Sequence, residues 1–260
     1  SGPTVDATVT LPIRNVQAPA LISYTYVWPG GRVPNFAAAG PAPPDPVAQA
    51  LGHGFAYVEY RPQLLQSDSG ATMKEGVIGL ARWPREKTDW GALRAWAWGA
   101  SRLREELARD PRILAGRISL TGHSRFGKGV LVAAAFDPAF ADAHVSSSGA
   151  GGVKIMRRDF GERWDNLAGA GEFHWFAPNA MGYAQAGHSV AELPVDAHTL
   201  IALRAPRPLF VTSGRAERGD SWVDPHGMWL ATKAAQPVWQ MFGATAPTAD
   251  MPPPEDASHA

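Results

Sequence analysis

The chain has 260 residues, with 24 basic and 24 acidic side chains and a formal net charge of zero. That balance draws it neither to nucleic acid nor to an anionic membrane face, and no apolar run approaches the ~20 residues a membrane helix needs. There is no cysteine, which excludes thiol catalysis, disulfides and thiolate metal sites, and the 45% hydrophobic, 18% charged composition is that of a globular domain with a large core.

In chain order, LISYTYV (21–27) is β-rich and bounded by Pro and Gly, which predicts a strand. The Pro/Gly-rich residues 28–46 predict an extended loop, PVAQALGHG a short helix ended by glycine, and FAYVEY (55–60) the next strand. Residues 61–88 are polar and aperiodic and are expected to form a long surface loop of the kind that serves as a lid. The clearest helix is 89–110, where Leu93, Trp96, Ala100, Leu103 and Leu107 recur at three- and four-residue spacing behind Asp89 as N-cap. RISLTG reads as a strand, and so does AHVSSSG (143–149) with its turn. Residues 193–214 read as helix, proline break and strand, and 224–235 as a helix with Asp224 as N-cap and Pro225 at its first position. Strands alternating with helices argue for a mostly parallel sheet covered on both faces. The ten tryptophans suit either an aromatic sugar cleft or ordinary core packing.

The segment TGHSRFGKGV (121–130) follows a strand and precedes an apolar helix. A phosphate loop is disfavoured: Gly122, Gly127 and Lys128 have P-loop spacing, but Gly129 stands where the Mg²⁺-binding hydroxyl belongs. Two readings remain open on spacing alone. Ser124 is a nucleophile at the apex of a strand–turn–helix elbow, with its second glycine one place later than in G-x-S-x-G, or it is only the N-cap of the helix that follows.

The sequence resembles the glucuronoyl esterases, carbohydrate esterase family 15, a branch of the α/β-hydrolases. GHSRFGKG is similar to that family's elbow and DWGALRAWAWGASR to the helix before it. SSGAGG, HWFAPN, LPVDAHTLIALRAPRPLF and DSWVDPHG follow in family-like order, so the likeness spans roughly residues 80–242 and is loose before them. The resemblance implies an α/β fold, a three-layer α/β/α sandwich with a mostly parallel sheet, and a serine esterase with no cofactor and no metal. Its substrate would be the ester that joins 4-O-methyl-glucuronic acid of glucuronoxylan to a lignin alcohol. Ser124 would be the nucleophile, and the Arg125 backbone N–H and guanidinium would hold the oxyanion. Lys128, Glu172 and Trp175 would contact the sugar, with Asn166 a weaker candidate.

The rest of a triad is less direct. Many family members carry a Glu just before S-G-A-G-G; here that position is Ser147, which cannot carry charge. The loop after strand PLFVTS offers Glu217, Asp220 and Asp224. Asp224 is assigned to the helix cap, Asp220 is the chosen acid and Glu217 the runner-up. In Ser–acid–His order the base must follow about residue 220. His226 is too near the acid loop, and His259 lies in a polar tail, so the histidine is expected beyond Ala260. His123, His174 and the Asp196–His198 pair are read as structural, and His53, His144 and His188 show no partner pattern. The expected protein is one domain over 1–260, cut short at both ends, a monomer that is secreted or periplasmic because its substrate is polymeric. It acts on a glucuronoyl ester and binds neither nucleic acid nor membrane. The competing readings are an acetyl or feruloyl esterase, a non-catalytic carbohydrate-binding relative, and an interaction module without a sugar site.

Overall fold

A computed structural model describes residues 2–13, 16–27, 44–185, 187–216 and 219–244. Glu217 and His259, and most of the 28–46 loop, lie outside the described residues. Six strands form one sheet: β1 (Ala7–Thr10), β2 (Ala18–Tyr24), β3 (Ala56–Tyr60), β4 (Ile113–His123), β5 (Ala143–Ser146) and β6 (Leu209–Thr212). Their order across the sheet is β1-β3-β2-β4-β5-β6, and every pairing is parallel except β1 with β3. The helices that join the strands or follow the last of them are α1 (Pro46–Gly52), α2 (Pro62–Leu65), α3 (Val77–Ala81), α4 (Ala92–Leu107), α5 (Arg125–Phe136), α6 (Trp164–Leu167), α7 (Ala197–Ala202) and α8 (Pro225–Gln240).

Side chains alternate across a strand, so one face of the sheet can be followed residue by residue. Ala18, Ala20, Ile22 and Tyr24 of β2, Ala56, Val58 and Tyr60 of β3, and Ala143 and Val145 of β5 all enter the main core. There they meet Trp96 and Leu103 of α4, Val130 and Leu131 of α5, Ile201 of α7 and Met228 of α8. Tyr57 points to the other face, where it bonds Ser23 and feels the charge of Asp45, the N-cap of α1. Trp96 is wholly buried; its indole N–H donates to the Gln66 carbonyl at 2.7 Å, while its own carbonyl accepts from Tyr60 Oη at 3.1 Å.

Three expected elements differ. The strand expected at 21–27 runs over Ala18–Tyr24: its inward positions begin with two alanines, a weak signal, and Val27 N–H leaves the ladder to donate to Gln63 Oε1. Asp89 does not cap α4. Its carboxylate accepts from the Glu86 N–H at 2.7 Å, and Gly91 takes the N-cap place because any side chain there would run into the Trp175–Phe176 backbone. The stretch 61–88 is not a structureless lid. It carries α2 and α3, and Gln66 is wholly buried, accepting from the Ile78 N–H and donating to the Met73 carbonyl.

Candidate active site

The carboxyl ends of β4, β5 and β6 lie side by side and carry the site. Ser124 sits between β4 and α5 with φ 56° and ψ −129°, a backbone state that a non-glycine residue adopts only when its surroundings impose it. Its side chain makes no capping bond to α5, so the N-cap reading of this serine is not what the structure shows. The Ser124 N–H donates to the Ser146 carbonyl at 2.9 Å and its carbonyl accepts from the Lys128 N–H at 3.1 Å, which fixes the turn from both sides. Gly122 is required because a Cβ there would lie 2.6 Å from the Phe126 carbonyl oxygen. The displaced second glycine has a packing cause. Phe126 occupies the place of the expected glycine, wholly buried against Tyr24, Tyr26 and Trp96, and Gly127 takes the close approach to the Ser146 and Gly122 carbonyl oxygens.

As the first residue of α5, Arg125 carries a backbone N–H that has no carbonyl partner within the helix. Its guanidinium donates from Nη1 to Asp68 Oδ2 at 2.8 Å and stands 5.1 Å from the centre of the Trp175 ring. Asp68 Oδ1 accepts two further donors, His174 Nε2 at 2.9 Å and Trp175 Nε1 at 2.7 Å. Burial alone would raise the Asp68 carboxyl, but these three donors outweigh it and hold its pKa below the ordinary value. Burial opposes the charge of Arg125 as well. The bond to Asp68, its charge and those of Tyr26 and Glu172 prevail and raise the guanidinium pKa. The half-buried Tyr26 hydroxyl bonds both Ser124 and Arg125, and burial raises its pKa despite those contacts. Glu172 is half-buried, and its charge acts on Arg125 and Lys128 from the same side.

The acid loop is tied to the same strand ends. Asp220 Oδ2 accepts from Ser147 Oγ at 2.7 Å and from the Gly214 N–H at 2.6 Å, while the Ser147 N–H donates to the Thr212 carbonyl at 2.8 Å. Ser147, itself at φ 42°, therefore hydrogen-bonds the carboxylate that reaches across from the β6 loop. Asp224 stands at the N-cap position of α8 with φ 51°, but its side chain does not cap; it accepts from Arg158 Nε at 2.9 Å. Among the described residues, no histidine bonds Ser124 or Asp220. His123 Nδ1 lies 3.2 Å from Ser146 Oγ, and His144 bridges Thr121 Oγ1 and Thr212 Oγ1 at 3.0 and 2.8 Å. Asp196 caps α7 through the Ala197 N–H and also holds Arg157. Among the described residues, no three His, Asp or Glu side chains are placed to hold a metal ion.

Two side chains expected at the sugar are engaged within the protein. Lys128 is 2% exposed, and its three donors all go to protein: the Ser148 carbonyl at 2.6 Å, the Ala150 carbonyl at 2.7 Å and Glu162 Oε2 at 2.7 Å. Burial lowers its pKa against the pull of Glu162. It braces the S-G-A-G-G turn from beneath and has no donor left for a hydroxyl. Trp175 is 3% exposed, so neither face of its ring is open to a sugar; its N–H is spent on Asp68 and its ring lies beside Arg125. Asn166 is likewise engaged, accepting from the Arg163 N–H at the start of α6. Asp68 escaped sequence reasoning because it lies in the aperiodic stretch 61–88, 106 and 107 positions from its partners His174 and Trp175.

A strained serine between a central parallel strand and the helix behind it, with a carboxylate on the loop after β6, defines an α/β-hydrolase fold. A family model described as "Glucuronyl esterase, fungi" matches residues 3–243, and the chain belongs to that family. It is 42% identical to a CE15 glucuronoyl esterase from Teredinibacter turnerae, with a TM-score of 0.85 over 96% of this chain and 61% of that one. A glucuronoyl esterase from Solibacter usitatus gives 32% identity and a TM-score of 0.81, covering 97% and 69% of the two chains. The 4-O-methyl-glucuronoyl methylesterase of Hypocrea jecorina is 37% identical over 163 residues, 60% of this chain and 34% of that relative. A carbohydrate esterase of an unknown prokaryotic organism is 39% identical over 158 residues, 61% of this chain and 35% of its own length. The chain thus spans about a third of these curated relatives.

Proposed function

We propose that the protein is a serine esterase acting on esters of 4-O-methyl-glucuronic acid, the linkage between glucuronoxylan and lignin. The observation that carries this reading is the strained backbone of Ser124: it is held at φ 56°, and its side chain does not cap the helix it precedes. Its Oγ attacks the ester carbonyl while a general-base imidazole takes the hydroxyl proton and then passes it to the leaving alcohol. The tetrahedral oxyanion is met by the Arg125 backbone N–H at the positive end of α5 and by the guanidinium that Asp68 holds beside it. Collapse expels the alcohol and leaves the acyl group on Ser124, and water then releases the uronic acid. Asp220 is the acid that orients the imidazole, and among the described residues no histidine bonds it. Glu172 is the remaining sugar contact, a carboxylate able to accept from adjacent hydroxyls. Support for the substrate comes from the family and from relatives named as 4-O-methyl-glucuronoyl methylesterases.

The enzyme is further read as a secreted or periplasmic monomer, since a lignocellulosic ester is met outside the cell. Among the described residues no helix is long and apolar enough to cross a membrane. The test is turnover of benzyl glucuronate against an aryl acetate by the full-length protein. Preference for benzyl glucuronate is expected; preference for the acetate makes this an acetyl or feruloyl type of esterase instead.

A further inference from the structure

We propose that Asp68 is a positioning residue for catalysis: it fixes the Arg125 guanidinium in the orientation that meets the oxyanion. The proposal rests on the reading of Ser124 as nucleophile and Arg125 as its oxyanion donor. A free arginine side chain samples many rotamers, and a cation stabilises a transition state efficiently only when its position is settled beforehand. Here the Asp68 carboxylate holds the guanidinium, with the Tyr26 hydroxyl as a second contact. Asp68 Oδ2 takes Arg125 Nη1, and Oδ1 takes His174 Nε2 and Trp175 Nε1, so Asp68 cannot swing without breaking three bonds. Its side chain is 6% exposed, unlike the solvated ion pairs that contribute little.

The segment that carries Asp68 is itself held. Two residues earlier, Gln66 is clamped by Ile78, Met73 and Trp96, and Ser67 Oγ and Thr72 Oγ1 lie 2.5 Å apart. The arrangement also limits what Arg125 gives away. Only Nη1 bonds Asp68, and Nε is left buried without a protein acceptor, so the cation is anchored without being saturated. An ionised Asp68 only accepts, so His174 presents its Nε2 proton, and its Nδ1 has no partner. The 61–88 stretch therefore serves the site as a fixed bracket.

The test is a cycle of Asp68→Asn, Arg125→Ala and the double variant in the full-length protein, with kcat and KM measured on benzyl glucuronate. Asparagine keeps the size of Asp68 but offers one acceptor oxygen where three donors converge. Asp68→Asn is expected to lower kcat roughly tenfold or more with KM within about twofold, because the interaction lost is made in the transition state. In the Arg125→Ala background the same change is expected to cost less than about twofold. If Arg125→Ala is impaired and Asp68→Asn lowers kcat equally with and without Arg125, or leaves kcat unchanged with Arg125 present, the positioning role is overturned. If Arg125→Ala itself leaves kcat intact, the oxyanion reading beneath the proposal has failed instead. Should Asp68→Asn not fold, Trp175→Phe removes one donor to Asp68 and keeps a ring beside Arg125. Its kcat loss must likewise vanish in the Arg125→Ala background, and persistence there overturns the proposal.

Discussion

Lys128 gives the sharpest energetic prediction, because it is buried and each of its donors is accounted for. Replacing it by Met leaves Glu162 as an uncompensated buried carboxylate and strips the Ser148 and Ala150 carbonyls of their partner. The nearby Lys154 is no substitute: its ammonium donates to the carbonyl oxygen of Glu162, not to the carboxylate. Breaking one side of a buried pair costs about 3–5 kcal/mol. For a chain of this size each kcal/mol moves Tm by about 2–4 °C, so Lys128→Met should melt roughly 6–20 °C below the wild type. Burial lowers the Lys128 pKa in spite of Glu162, so the pair as a whole contributes far less than either half appears to when cut alone. Adding Glu162→Gln to Lys128→Met should therefore recover at least about 2 kcal/mol. Thermal and urea unfolding of the two variants measure this. A single-variant cost under about 1 kcal/mol, the value of a surface pair, or a double variant no more stable than the single, would refute the reasoning.

Three further outcomes are expected. Gly122→Ala places a Cβ 2.6 Å from the Phe126 carbonyl oxygen and 2.9 Å from Val130 Cγ2, pushing α5 off β4; it should cost about 1–3 kcal/mol in urea unfolding, and an unchanged midpoint would contradict the close approach. Asp220→Asn should lower kcat by about a hundredfold or more, and Ser147→Ala, which removes one bond to that carboxylate, by less than about tenfold; the reverse ranking would remove Asp220 as the acid. Burial, and then the neighbouring His123, lower the pKa of His144, so on acidification the unfolded chain takes up that proton before the folded one does. Stability from this site is thus lost as pH falls below about 6.5, and His144→Gln should flatten the acid side of the stability curve; an unaltered slope would show that His144 does not titrate on unfolding.

What the sequence disclosed follows the range of the interactions involved. The α4 stripe and the strand–turn–helix about Ser124 are local patterns, and both are present at nearly the expected residues. Asp220 is legible from its place in the loop after PLFVTS, and its carboxylate accepts from Ser147, the position just before S-G-A-G-G. Lys128 and Trp175 were expected to face the sugar because a motif specifies a spacing and not which side chains a remote segment will cover. Glu162, 34 positions on, takes Lys128, and Asp68, 107 positions back, takes Trp175. Asp68 carried no local mark at all, since a lone aspartate in an aperiodic polar stretch reads as solvated. Its role appears only when the fold brings α5 and the residues before and after it together with residues 66–78 and 172–176.

The central claim is that Ser124 carries the acyl group, and Ser124→Ala in the full-length protein tests it most directly. Turnover of benzyl glucuronate should fall by at least about a thousandfold while glucuronate binding, measured by calorimetry, stays within about twofold of wild type. Turnover retained in Ser124→Ala would contradict the serine mechanism and, with it, the assignment of this elbow as the active site.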